Sequence, residues 1–126
     1  MGKKILIIDD DRLNTTIVKF RLSEQNYDVD IAINGFDGLE KIKQSRPDLI
    51  VLDIRMPRMN GYEFMQELIT NQAEDRIPVI MLTADETMQD IFQAEGVIGY
   101  YVKPVDMESF LSQIKDYLKP EEDGDA

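Results

Sequence analysis

The sequence predicts an α/β domain, a parallel sheet with helices on both faces, and three observations carry that reading. Short, continuously apolar runs recur at Ile5–Ile8, Leu49–Leu52, Val79–Leu82 and Tyr100–Val102. The first, extended to residues 4–9, lacks the in–out alternation of a half-wet sheet and reads as a strand buried on both faces. Between them, apolar residues return at helical spacing, so strand-like and helix-like segments alternate. Each run also ends on a polar residue: Asp9-Asp10-Asp11, Asp53, Thr83 and Lys103.

Taken in order, residues 4–9 form the first strand. Asp11 has the chemistry of an N-cap for a helix reaching about Gln25, with Leu13, Ile17, Val18 and Phe20 on its buried face. Val29, Ile31 and Ile33 alternate with polar residues and predict a half-exposed edge strand. The Asn34-Gly35 turn leads into a second helix bearing Phe36, Leu39 and Ile42. Arg46-Pro47 stops it, because proline disfavours helical geometry in the residue before it. A third strand runs from Asp48 to Asp53, followed by a loop containing Pro57 and Asn60-Gly61. Tyr62, Phe64, Met65, Leu68 and Ile69 supply the third helix.

The fourth strand follows Pro78, and Met88, Ile91 and Phe92 mark a short fourth helix. A fifth strand spans roughly 97–102. Met107, Phe110, Leu111, Ile114 and Leu118 make the stripe of the last helix. Five strands suit the flavodoxin-like order 2-1-3-4-5, a three-layer (βα)5 sandwich. In that order the first and third strands are neighbours at the switch point, where ligands bind beyond the carboxyl ends. Asp9 and Asp10 then lie beside Asp53, with Thr83 and Lys103 along the same edge.

A chain of 126 residues suits one domain. Residues 1–120 are read as that domain and 121–126 as an acidic, flexible tail carrying Glu121, Glu122, Asp123 and Asp125. Fourteen basic against twenty-five acidic residues give a net charge of −11, which argues against direct binding to nucleic acid or anionic membrane. No apolar run approaches a membrane span, and the expected location is cytoplasmic. Cysteine and histidine are both absent. That excludes disulfides, thiolate chemistry, a histidine-based triad and a phosphohistidine on this chain. Carboxylates, hydroxyls and lysine remain.

Three carboxylates gathered within a few ångströms repel one another, each pair at 4 Å by about 4 kcal/mol at an effective dielectric near 20. A divalent cation removes that penalty, and oxygen-only ligation with room for water points to Mg²⁺. Lys103 offers a positive charge and Thr83 a hydroxyl to a phosphoryl group. Phosphoryl transfer needs little beyond positioning and charge neutralisation. Asp53, ending a central strand between the acidic cluster and Thr83, is the expected nucleophile.

The stretches IIDDD, LDIRMPRMNG, MLTA and YYVKP together resemble the receiver domain of two-component response regulators, the CheY-like fold, over about residues 3–119. The resemblance implies that Asp53 is the phospho-acceptor. It makes Asp9 and Asp10 the acidic metal pair, Asp10 the more direct ligand, with the Arg55 backbone carbonyl completing the Mg²⁺ site. It places Lys103, Thr83 and the Ala84 N–H on the phosphoryl group, and Thr83 with Tyr100 as the moving switch. It also suggests a cis Lys103-Pro104 bond.

The function so implied is signalling rather than enzymatic, the domain catalysing only its own phosphorylation and dephosphorylation. The donor would be a sensor histidine kinase or a histidine phosphotransfer protein. The new charge would alter the face made by the fourth helix, fifth strand and fifth helix, which binds a downstream protein, an output domain or a second copy of the chain. Arg55 and Asp85, two residues beyond Asp53 and Thr83, are placed to face each other across the site mouth. They form either a surface ion pair worth about 0–1 kcal/mol or a gate on the attacking water that tunes phosphoryl lifetime.

Two other readings compete. In a small haloacid-dehalogenase-type phosphatase, Asp9-x-Asp11 would supply nucleophile and acid/base. Arg12-Leu13 fits that motif poorly, no acidic pair follows Lys103, there is no room for a substrate cap, and Asp53 goes unexplained. The other is a receiver-fold binding module that works without phosphorylation, which an intact site disfavours.

Overall fold

The computed structural model describes residues 2–71 and 75–119. The expected acidic tail lies outside the described residues. Ten elements alternate: β1 (Lys4–Ile8), α1 (Arg12–Glu24), β2 (Asp28–Ala32), α2 (Gly35–Gln44), β3 (Leu49–Leu52), α3 (Gly61–Asn71), β4 (Val79–Thr83), α4 (Gln89–Ala94), β5 (Gly99–Val102) and α5 (Met107–Tyr117). The strands form one parallel sheet in the order β2-β1-β3-β4-β5, as expected. Among the described residues no helix is long and apolar enough to cross a membrane.

Each sheet face has its own core. On one side Val18 and Leu22 of α1 and Phe110 and Ile114 of α5 pack on Ile5, Ile7, Val51 and Ile80. On the other, Ile42 of α2, Phe64, Met65 and Leu68 of α3 and Phe92 of α4 pack on Leu6, Ile8, Leu52 and Met81. Alternation along a strand sends successive side chains to opposite faces. Tyr101 thus joins the α5 side, edge-on to Phe110, while Tyr100 joins the α4 side against Phe92.

The structure corrects three expectations about local faces. In α1 the buried stripe is Thr15, Val18 and Leu22. Leu13, Ile17 and Phe20, expected inside with Val18, are 72%, 47% and 62% exposed. They occupy a second helical stripe rotated away from the sheet. Ile33 lies beyond the end of β2 and Phe36 is the second residue of α2, and both are more than half exposed. The close approach of α2 to the sheet falls instead at Gly38, whose missing Cβ would lie 2.6 Å from the end of Ile8.

Register delivers the strand ends to one place. Ile8 of β1 stands opposite Leu52 of β3, so Asp9 and Asp53 each lie one residue past a matched pair. The Asp53 N–H donates to the Ile8 carbonyl at 3.0 Å. At the far side Thr83 stands opposite Val102, and the Lys103 N–H donates to the Thr83 carbonyl at 2.8 Å.

Candidate functional site

Beyond β1 the chain turns within three residues into α1. Asp11 is the N-cap, its carboxylate accepting from the Asn14 N–H at 3.1 Å. Beyond β3 the chain loops to α3, whose start is tied by a reciprocal capping box: Asn60 and Glu63 exchange bonds of 2.9 and 3.0 Å. Gly61 lets α3 begin directly beneath Asp53, since a Cβ there would lie 2.5 Å from the Asp53 carbonyl oxygen. These local devices aim three carboxylates at one point. One oxygen each from Asp9, Asp10 and Asp53 lie within 4.8 Å of one another, with Asp9 and Asp53 buried and Asp10 exposed.

The two buried acids differ in what they have left to offer. Asp9 Oδ1 accepts from the Asp11 N–H at 2.9 Å, and Oδ2 accepts from Lys103 Nζ at 3.0 Å and Asn14 Nδ2 at 3.2 Å. Asp53 Oδ1 accepts from the Ile54 N–H at 2.7 Å, while Oδ2 has only Lys103 Nζ, 3.4 Å away. Asp53 thus keeps an oxygen with spare capacity at the site's centre.

Burial raises the Asp9 carboxyl to about 6, helped by the charge of Asp53 and opposed by the Asp11 N–H and Lys103. Burial acts to lower Lys103, but the Asp9 hydrogen bond and the charges of Asp53 and Asp9 outweigh it and raise the lysine. Lys103 is therefore a fixed cation, paired also to Asp11 at 3.8 Å.

Thr83 is fully buried, and Ala84 beside it is exposed at the rim. The Asp85 N–H donates to Thr83 Oγ1 at 3.2 Å, and the Tyr100 hydroxyl donates to the Asp85 carbonyl. Both residues expected to move thus grip the same amino acid. The Asp85 side chain accepts from the Thr87 N–H and hydroxyl at 2.8 and 2.6 Å and faces Arg55 at 3.5 Å. The Thr87 bonds foremost, then the Arg55 charge, hold its carboxyl below the usual range. An open cleft of about 480 Å³ runs beside this pair, lined by Asp10, Arg55, Asn60 and Asp85 among others. The Lys103-Pro104 bond is cis.

Every residue named from the sequence for this edge is therefore at it. The geometry does not favour the haloacid-dehalogenase reading, because Asp9 already has three donors and Asp11 is committed to capping α1. Asn14 and Thr87 were missed. The only signal for Asn14 was its position three residues after the N-cap, and Thr87 gave none.

The response regulator receiver domain family matches residues 5–115. Among curated proteins, the chain is 37% identical to the DNA-binding dual master transcriptional regulator RpaA of Synechocystis, over 92% of the chain and 49% of that protein. It is 35% identical to the alkaline phosphatase synthesis transcriptional regulatory protein PhoP of Bacillus subtilis, over 97% and 51%. The chain thus spans about half the length of these relatives. Among solved structures, a CheY-like response regulator receiver domain protein of Methanospirillum hungatei superposes with a TM-score of 0.83 at 30% identity, covering 94% of each chain. The response regulator TrrA of Thermotoga maritima, solved in complex with Mg²⁺ and BeF, gives 0.82 at 29%, covering 92% of this chain and 99% of that one.

Proposed function

Because the chain belongs to the response regulator receiver domain family, we propose that Asp53 is its phospho-acceptor and that the rest of the edge serves that transfer. The observation that carries the reading is Asp53 Oδ2, which keeps spare acceptor capacity beside Lys103. It lies within 3.4 Å of the only ammonium at this edge among the described residues, with Oδ1 held by the backbone. Oδ2 attacks phosphorus of a partner's phosphohistidine; the new P–O bond forms as the P–N bond breaks, and the imidazole nitrogen keeps the electron pair. Lys103, the Thr83 hydroxyl and the Ala84 N–H receive the phosphoryl oxygens.

Asp9, Asp10 and Asp53 offer an all-oxygen donor set that suits Mg²⁺, and the Arg55 carbonyl would complete it. When bound, the cation neutralises the carboxylate cluster and the incoming phosphoryl charge. The TrrA complex with Mg²⁺ and BeF is consistent with such a site here.

Dephosphorylation is the reverse demand on the same edge: water attacks phosphorus, the bond to Oδ2 breaks and inorganic phosphate leaves. Arg55 and Asp85 flank the approach at 3.5 Å from each other and set how readily water enters. The output follows from the shared hold of Thr83 and Tyr100 on Asp85. Drawing the Thr83 hydroxyl toward a phosphoryl group disturbs the Asp85 peptide, and with it Tyr100 and Phe92 of α4. The face of α4, β5 and α5 is thereby biased between two populations.

The phosphodonor is a histidine kinase or phosphotransfer protein, and it must cover the rim of the site to reach Asp53. The exposed stripe of Leu13, Ile17 and Phe20 starts two residues beyond the α1 cap and suits an apolar helical partner there.

Intact mass after incubation with acetyl phosphate and Mg²⁺ tests the acceptor. One phosphoryl adduct is expected, absent in Asp53→Asn and in EDTA. An adduct persisting in Asp53→Asn would sink the assignment. The decay of that adduct is expected to change several-fold in Arg55→Ala and Asp85→Ala, and equal half-lives would remove the gate.

A further inference from the structure

Asn14 is the third residue of α1, three beyond its N-cap Asp11. In a capping box the side chain at this position reaches back to the N-cap backbone N–H. Here that N–H is already donated to Asp9 Oδ1 at 2.9 Å. The Asn14 amide goes instead to Asp9 Oδ2 at 3.2 Å. An ionised carboxylate only accepts, so the amide must present its N–H. Oδ2 therefore has two side-chain donors, the charged Lys103 at 3.0 Å and the neutral Asn14.

Phosphorylation of Asp53 changes the competition for Lys103. Because Asp53 Oδ1 is occupied by the Ile54 N–H, the new bond forms at Oδ2, beside Nζ. Charged phosphoryl oxygens then compete with Asp9 for the same ammonium, and charge-assisted bonds to phosphate are among the strongest available. Asp9 is only 3% exposed, so an oxygen that loses its donor there bears the cost of an unpaired buried acceptor.

We propose that Asn14 is a positioning residue for this transfer: its amide keeps Asp9 Oδ2 hydrogen-bonded while Lys103 moves onto the phosphoryl group. The inference rests on the phospho-acceptor reading of Asp53. The Asn14 side chain is bonded to Asp9 and not to Asp10 or Asp53, so it acts through Asp9. Asp9 Oδ1, with a single donor, retains acceptor capacity toward Mg²⁺ whether or not Asn14 is present. The role is thus confined to the transfer step and separable from metal affinity.

The test compares wild type, Asn14→Ala and Asn14→Asp for acetyl phosphate labelling by intact mass at saturating Mg²⁺. Mg²⁺ affinity is followed by tyrosine fluorescence, and melting is recorded for each. In Asn14→Ala the labelling rate constant is expected to fall about 3–10-fold, the worth of one hydrogen bond, with Mg²⁺ affinity within about twofold. Asn14→Asp keeps the shape while turning a donor into an acceptor that repels Asp9, so it is expected to melt lower as well, and its labelling is read well below its melting temperature. It is expected to label more slowly still. Equal rates in wild type and both variants, a loss that excess Mg²⁺ restores, or a fall in melting temperature with unchanged rates would overturn the proposal. A wild type that takes no adduct would instead remove the acceptor reading, and this inference with it.

Discussion

A buried carboxylate that stays ionised makes the folded chain less stable than a neutral side chain of the same shape would. Asp9 is that residue. Its carboxyl is raised from 3.8 to about 6, so the folded state holds the proton more tightly than the unfolded one. Below about pH 4 both states are protonated and the penalty is absent; it grows as pH rises and is complete above about pH 6. At one pH unit per 1.36 kcal/mol its upper size is on the order of 3 kcal/mol. In EDTA, Asp9→Asn is therefore expected to melt several degrees higher than wild type at pH 7.5, the advantage shrinking toward pH 4.5. A melting temperature equal to or below wild type at pH 7.5 would contradict the account. Asn14 and Thr87 belong to the same scale. Each satisfies one oxygen of a carboxylate that the sheet edge needs held still.

Among the elements, α1 is the most informative. Its two apolar stripes have opposite fates. Thr15, Val18 and Leu22 close over β1, while Leu13, Ile17 and Phe20 face out beside the site. A surface substitution of this kind usually moves stability by no more than about 0.5 kcal/mol. Ile17→Glu should therefore fold and accept phosphoryl from acetyl phosphate at the wild-type rate. Transfer from a phosphohistidine protein should fall about tenfold or more, the worth of a buried apolar contact at an interface. Equal loss with both donors would place the fault in the site rather than in docking. The short α4 contrasts with α1. It has six residues, no side-chain cap and a single buried side chain, Phe92. An element held so lightly is the natural one to shift if Asp85 and Tyr100 rearrange as proposed.

At the scale of the molecule, the parallel sheet brings like charges together and uses one lysine to offset them. Lys103 contacts Asp9, Asp11 and Asp53, leaving a net negative edge that a divalent cation would complete. Binding confined to the folded state adds stability by mass action, about 2.7 kcal/mol when Mg²⁺ is a hundredfold above its Kd. Millimolar Mg²⁺ is thus expected to raise the melting temperature of wild type and EDTA to reverse it, with the gain lost when Asp10 is replaced by Asn. A gain undiminished in Asp10→Asn would place the cation elsewhere. The net charge of −11 favours cation binding in general, so the variant is the discriminating arm.

The alternation of elements, the strand order and the residues at the strand ends were all legible in the sequence. Two-sided burial of β1, β3 and β4 leaves apolar runs that polar punctuation ends, so Asp9, Asp53 and Thr83 announced those strands and, with Lys103, the edge they share. The Asp11 cap was equally visible, because capping is local chemistry. Periodicity could not say which of two apolar stripes on α1 meets the sheet. That depends on how the chain leaves β1 and on what α5 already covers. Nor could it find Asn14, whose amide turns to Asp9 only because the N–H it would ordinarily cap is taken. The tertiary structure also decided that Asp53 Oδ2 is the oxygen with capacity to spare, beside Lys103. Strand register, the Gly61 approach and the position of Lys103 one residue past β5 set that jointly, and none of them is a property of the residues around Asp53 alone.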